Sequence, residues 1–229
     1  MFIWDGSTGR TISDKMWIDN IIGGNAMSQR DHWGEVYETK SPDAVSWYQP
    51  TPILSLQALD RLHIAPTASV IDIGGGASHL VDHLLARGFS DITVLDIAAP
   101  ALEIAKARLG EAAAQVHWVV ADMTQWGPGR SFDVWHDRAV FHFLTEEGQR
   151  AAYRKALEQA LAPAGVAIFA TFALDGPEKC SGLAVQRYDA ASLAKALGSA
   201  FALVADWREV HVTPGGGHQA FTWGVFKRV

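Results

Sequence analysis

Ser69-Val70-Ile71-Asp72-Ile73-Gly74-Gly75-Gly76-Ala77-Ser78 is a short apolar run that carries one acid and then breaks into three glycines. Apolar, β-branched and short, it reads as a buried strand, and the glycines let the backbone approach a ligand where that strand ends. A helix reads from about Ala77 to Arg87 and stops at Gly88. Outward from this unit the alternation repeats. Residues 91–96 form a second strand ending on Asp96, and Pro100 to Leu109 a helix with proline in its first turn. Val116 to Val120 is a third strand running into Ala121-Asp122, and Phe132 to Trp135 a fourth. Thr145 opens a helix with Glu146 and Glu147 at its positive end. Gly165 to Phe172 is continuously apolar, as expected of a strand covered on both faces.

This series predicts an α/β, Rossmann-like, seven-stranded and mostly parallel sheet with helices on both faces. A helix near Asp189 to Leu197 precedes two long strands, Phe201 to Thr213 and Gln219 to Phe226. Pro214-Gly215-Gly216-Gly217 joins them, so the sheet is expected to end in a C-terminal antiparallel hairpin. Upstream, Trp33, Tyr37, Trp47 and Tyr48 cluster before Pro50 and Pro52, and Trp33 and Tyr37 share one helix face. Ile53, Leu56, Leu59 and Leu62 follow at helical spacing, whereas residues 1–28 have no sustained period. The chain divides into an N-terminal arm and lid segment, residues 1–55, and a main domain, residues 56–229.

Composition narrows the function classes. The 229 residues are 48% hydrophobic and 19% charged, with formal net charge −6. An acidic chain lacks the positive field that phosphate neutralisation needs, so no nucleic-acid partner is expected. Arg150, Arg154 and Lys155 read as a solvated helix face. Cys180 is the single cysteine, which excludes an intrachain disulfide and a Cys-rich zinc site. Cys180 with His211 or His218 lacks tight ligand spacing, so no metal is expected. No apolar run reaches the roughly 18 residues of a membrane span, and Met1 to Gly6 does not open like a secretory signal. A cytoplasmic protein without membrane partners is the expectation.

Three acids close successive strands. Asp96 follows Asp72 by 24 residues, where a carboxylate accepts hydrogen bonds from ribose hydroxyls. Asp122 ends the third strand, within reach of an adenine amine. Each acid also has a plain reading as a helix N-cap. The third glycine of a dinucleotide fingerprint would fall on His79, which disfavours NAD.

At these positions the chain resembles the class I S-adenosylmethionine-dependent methyltransferases. Val70 to Ser78 is similar to that family's first motif, Val94-Leu95-Asp96-Ile97 to its second and Val120-Ala121-Asp122-Met123 to its third. Phe132 to Arg138 resembles the fourth, and Leu161-Ala162-Pro163-Ala164-Gly165 the turn before strand five. The likeness spans roughly Leu56 to Val229 and departs at Ser78, where the family often has glycine. It implies S-adenosyl-L-methionine as cofactor, with S-adenosyl-L-homocysteine as product. Asp72, Gly74, Gly75, Gly76, Asp96, Ile97, Asp122 and Met123 would hold it, with Trp47 as an aromatic wall from the lid.

Methyl transfer demands alignment and exclusion of water more than a catalytic triad. His136-Asp137-Arg138 stands where this fold places its acceptor, and Asp-Arg there resembles thiopurine and other thiol methyltransferases. The Asp-Lys-Gly of related protein-lysine methyltransferases is absent. Arg138, His136 and His211 are therefore the candidate catalytic residues, Arg138 steering an anionic acceptor or lowering a thiol pKa and His211 acting as base. The plain readings are a structural Asp137–Arg138 contact and a structural histidine. A small-molecule acceptor, preferably a thiol, is expected. A protein lysine and a non-catalytic cofactor-binding module are the alternatives, and the sequence does not specify the oligomeric state.

Overall fold

The computed structural model describes residues 28–229. Apart from Ser28, the arm expected over residues 1–28 lies outside the described residues. Helix α1 (Gln29–Thr39) begins at a Ser28 cap, whose Oγ accepts the Asp31 amide at 3.2 Å. Helix α2 (Ile53–Arg61) follows. The strand–helix alternation then runs β1 (Val70–Ile73), α3 (Leu80–Ala86), β2 (Ile92–Asp96), α4 (Ala99–Leu109), β3 (Val116–Val120), β4 (Phe132–Arg138), α5 (Glu147–Ala160) and β5 (Leu161–Phe172). A small pair, β6 (Lys179–Cys180) and β7 (Leu183–Ala184), precedes α6 (Ala190–Leu197), β8 (Phe201–Val212) and β9 (His218–Arg228).

The seven-stranded sheet has the order β3-β2-β1-β4-β5-β9-β8. Every pair from β3 to β5 is parallel, and β9 is antiparallel to both β5 and β8. The order in which successive strands are added reverses between β1 and β4, and the crevice beyond the carboxyl ends of those strands is where such sheets bind ligands. Register sets Asp72 beside His136 and Ile73 beside Asp137 at that edge.

Both faces are covered, which explains why β1 and β2 are buried at every residue. One face packs Val70, Val134, Ile168, Phe172 and Trp223 against α2, α3 and Trp33 of α1. The other packs Ile71, Trp135, Phe169 and Phe226 against Tyr153 of α5 and Leu193 of α6. Fully burying each large side chain contributes about 1.5–3 kcal/mol.

Several boundaries differ from expectation for identifiable reasons. β4 continues past Trp135 because His136 and Asp137 find buried polar partners at the strand end, and β5 starts at Leu161, with its register shifted opposite residues 132–134. Helix α5 begins at Glu147, after Thr145, because Glu146 and Gln149 form a capping box. The β6–β7 pair was not legible, since two-residue strands have no period; positive φ at Ser181 (48°) and Gly182 (83°) makes its turn. Arg150 and Arg154 are not simply solvated: Arg150 donates to the Leu144 and Thr145 carbonyls, and Arg154 to that of Ala196. Among the described residues, no helix is long and apolar enough to cross a membrane.

Candidate active site

Two adjoining cavities open at the carboxyl edge of β1, β2 and β4. The first, about 800 Å³, is lined by Gly74, Asp96, Ile97, Asp122, Met123 and Arg138, with Trp33, Tyr37, Trp47, Phe143 and Cys180 around them. The second, about 590 Å³, takes in Asp72, Gly74, Gly75, Ser78, His79, His136 and Arg138. Gly74, Tyr37, Trp47 and Arg138 border both.

The glycine loop is shaped by its neighbours. A Cβ on Gly74, whose φ is +64°, would collide with Cγ2 of Val140. A Cβ on Gly76 would stand 2.7 Å from Asp96 Oδ2 and 3.1 Å from the Ala101 side chain, so Gly76 supports the loop from behind and does not line either cavity. The loop backbone is thereby left as one wall of the cleft, a cradle that side chains would fill.

The three strand-end acids are held differently. Asp96 accepts the Ala98 amide at Oδ1 (2.8 Å), and its Oδ2 faces Gly76 beside the cleft. Burial, with a smaller contribution from Asp72, pushes its carboxyl up to about 7. Asp122 folds its own turn, accepting Thr124 N at 2.8 Å and Thr124 Oγ1 at 2.7 Å, while still lining the cleft. It holds a turn and caps no helix, because the element that follows is β4. Asp72 pairs with His136 (Oδ1 to Nδ1, 2.7 Å) and does not point freely into the cavity.

The acceptor-side candidates separate. His136 is buried with both ring nitrogens engaged, Nδ1 by Asp72 and Nε2 by Ser55 Oγ at 2.9 Å. That geometry supports the loop and leaves no nitrogen for an acceptor proton. His211 lines neither cavity; its Nε2 lies 2.8 Å from the Ser46 carbonyl, and burial lowers its pKa. Asp137 and Arg138 leave opposite faces of β4 and make no structural pair. Asp137, pushed up to about 6 by burial, accepts the Val140 and Phe141 amides and the Tyr153 hydroxyl. It thereby shapes the turn at Ala139, where φ is +73°. Arg138 stays at the cleft. Its Nη1 donates to the Trp47 carbonyl at 3.1 Å, and its guanidinium lies over Phe221, 4.9 Å from the ring centre.

Sequence reasoning singled out Trp47, whose indole borders both cavities and meets Trp33 and Tyr37 edge-on. It missed Ser55, Val140 and Glu209. Glu209 carried a signal: a charged residue on the same strand face as Trp207 and His211. Cys180 stands at the first cavity with its thiol pushed up to about 12 by burial, the protonated and unreactive state.

Residues 70–165 match the family described as a methyltransferase domain. No curated protein sequence matches the chain. Among solved structures, an S-adenosylmethionine-dependent methyltransferase from Anabaena variabilis is 17% identical, with TM-score 0.69 over 88% of this chain and 96% of that one. A 1,6-didemethyltoxoflavin N1-methyltransferase of Burkholderia thailandensis, bound to 1,6-didemethyltoxoflavin and S-adenosylhomocysteine, is also 17% identical, with TM-score 0.69 over 98% and 93%. An N-methyltransferase of Bradyrhizobium japonicum in complex with S-adenosylhomocysteine is 16% identical, with TM-score 0.64 over 86% and 99%. These likenesses establish the fold. With the family match over residues 70–165, the chain carries a methyltransferase domain on the fold these proteins share.

Proposed function

We propose that this enzyme methylates a small-molecule nucleophile, with a thiol the preferred acceptor, inside the aromatic cleft between the lid and β4. The observation that carries this reading is the enclosure: among the described residues, Trp33, Trp47 and Phe143 wall the first cavity around the Arg138 cation. A protein lysine would call for an open groove with an acidic rim.

The residues fit the cofactor. The Gly74-Gly75 backbone beside Asp72 suits its amino-acid end, the Asp96 carboxylate its ribose hydroxyls, and Asp122 with Ile97 and Met123 its adenine. Trp47, from the lid segment before residue 56, covers it, and residues 56–229 form the domain beneath. When bound, S-adenosylmethionine supplies a methyl group on a sulfonium. The chain's own residues do the rest. Trp33, Trp47 and Phe143 exclude water, and the Arg138 charge favours a deprotonated acceptor, lowering a thiol's pKa toward the thiolate that attacks. His136 and His211 serve as positioning residues, holding Asp72 and the lid.

Labelled cofactor incubated with the enzyme and panels of small thiols, small amines and denatured cell protein tests this reading. It expects label on small molecules, thiols foremost. Label on protein lysine alone would overturn it.

A further inference from the structure

We propose that Glu209 is a positioning residue that latches the lid segment, residues 45–49, over the cleft and so governs how long the cofactor stays. Glu209 lies on β8, outside the matched residues 70–165, with its side chain only 8% exposed. A carboxylate so deeply placed is costly unless donors surround it. Its Oε2 accepts the Trp223 indole N–H at 2.8 Å, and its Oε1 accepts the Gln49 side-chain amide at 3.2 Å. Arg138 Nη2 lies 4.0 Å from the same Oε1, an ion pair without a hydrogen bond.

The partners join three parts of the chain. Trp223 is fixed on β9 by its stack on Trp207, ring centres 5.5 Å apart and 13° from parallel. Gln49 belongs to the lid, 160 residues away in sequence. Arg138 closes the carboxyl end of β4 and grips the same lid at the Trp47 carbonyl, and His211, two residues along β8, grips it at Ser46. Three neighbouring lid residues are thus tied to the sheet, and only the Gln49 tie runs from a lid side chain to a full charge. Among the described residues, Arg138 Nε and Nη2 are buried without hydrogen-bond partners, so the Glu209 charge, 4.0 Å away, helps to balance its guanidinium there. Removing that charge loosens the Gln49 tie and the placement of Arg138 together. Because Trp47 lies inside the latched segment and borders both cavities, opening the latch uncovers the cleft.

The residence-time part rests on the cofactor placement under Proposed function; the latch itself does not. The test uses Glu209→Gln, Gln49→Ala and the double variant in the full chain. Amide hydrogen exchange across residues 45–49 is read without cofactor, and S-adenosylhomocysteine dissociation by stopped flow. Exchange should rise about tenfold in Gln49→Ala and at least as much in Glu209→Gln, which also loosens Arg138, and the double variant should add little to Glu209→Gln, because both changes cut the Gln49 tie. Dissociation should accelerate about tenfold, equivalent to about 1.4 kcal/mol, without a matching loss in thermal stability. Unchanged exchange in Gln49→Ala, which leaves the Glu209–Trp223 bond intact, would overturn the latch even if Glu209→Gln misfolds. Faster exchange with unchanged dissociation would overturn the residence-time claim alone. Wild-type protein that does not bind S-adenosylhomocysteine would refute the cofactor placement and leave the exchange result to decide the latch.

Discussion

Replacing Asp96 by asparagine keeps the side chain's shape and removes its charge. In the native cleft Oδ1 is committed to the Ala98 amide, while Oδ2 faces Gly76 and carries the acceptor capacity proposed for the ribose. Losing a hydrogen bond to a charged group costs about 1.5–3 kcal/mol. Affinity for S-adenosylhomocysteine should therefore fall about 10- to 150-fold. Burial adds a pH signature, because it pushes the carboxyl up to about 7, so the free enzyme holds Asp96 largely neutral below that pH. Hydroxyl donors favour the ionised form, so binding should release a proton and weaken as pH falls from 8 to 6. The raised pKa has the opposite sign for folding: its contribution to stability is present below the unfolded value near 4 and lost as pH rises through 7. Calorimetric titration between pH 6 and 8, in buffers of different ionisation enthalpy, measures both affinity and proton release. An Asp96→Asn protein that folds, binds as tightly as wild type and shows the same pH dependence would refute the ribose placement.

Gly74→Ala should destabilise the fold by about 1–3 kcal/mol, from a strained positive φ and the collision with Val140, as read by denaturant unfolding; an unchanged midpoint would mean the loop has room to move. Tyr153→Phe removes a donor from buried Asp137, so it should cost about 1–3 kcal/mol at pH 8, where that carboxyl is ionised, and less at pH 5, below its value of about 6. Equal losses at both pH values would contradict that assignment. His142 accepts the Phe172 amide at Nδ1, and burial holds its pKa down to about 3, so stability should fall as pH drops from 6.5 toward 3. His142→Leu should flatten that acid limb, and an unaltered limb would assign it to another group. Arg138→Met should lower kcat/KM for the first identified acceptor about 10- to 100-fold with smaller change in cofactor affinity, whereas equal losses in both would make Arg138 a cofactor residue.

What could be read from the chain, and what could not, follows from the range of the forces involved. β1 and β2 are short, mostly apolar, buried strands punctuated by glycine or acid, and their sequence pattern reports them directly. The edge position of Asp72, Asp96 and Asp122 follows from the same pattern, because Asp96 closes β2, Asp72 stands one residue before the end of β1 and Asp122 two residues past β3. His136 was misjudged as an acceptor-facing group because its partners, Asp72 and Ser55, lie 64 and 81 residues away and become neighbours only when β1, β4 and α2 pack. Asp137-Arg138 read as a pair in sequence, yet adjacent residues of a strand point to opposite faces, so the two side chains serve different environments. Glu209 was overlooked for a related reason. Strand alternation puts it on an apolar face, and only the tertiary approach of Gln49, Trp223 and Arg138 makes that burial tolerable.

The central claim is that the cleft at the carboxyl edge of β1, β2 and β4 holds S-adenosylmethionine through its glycine loop and strand-end acids. Calorimetric titration of the purified protein with S-adenosylmethionine, S-adenosylhomocysteine and NAD tests it most directly. The account predicts one-site binding of the first two, weakened in Asp96→Asn, and no heat from NAD. Binding of NAD alone, or of none of the three, would contradict it.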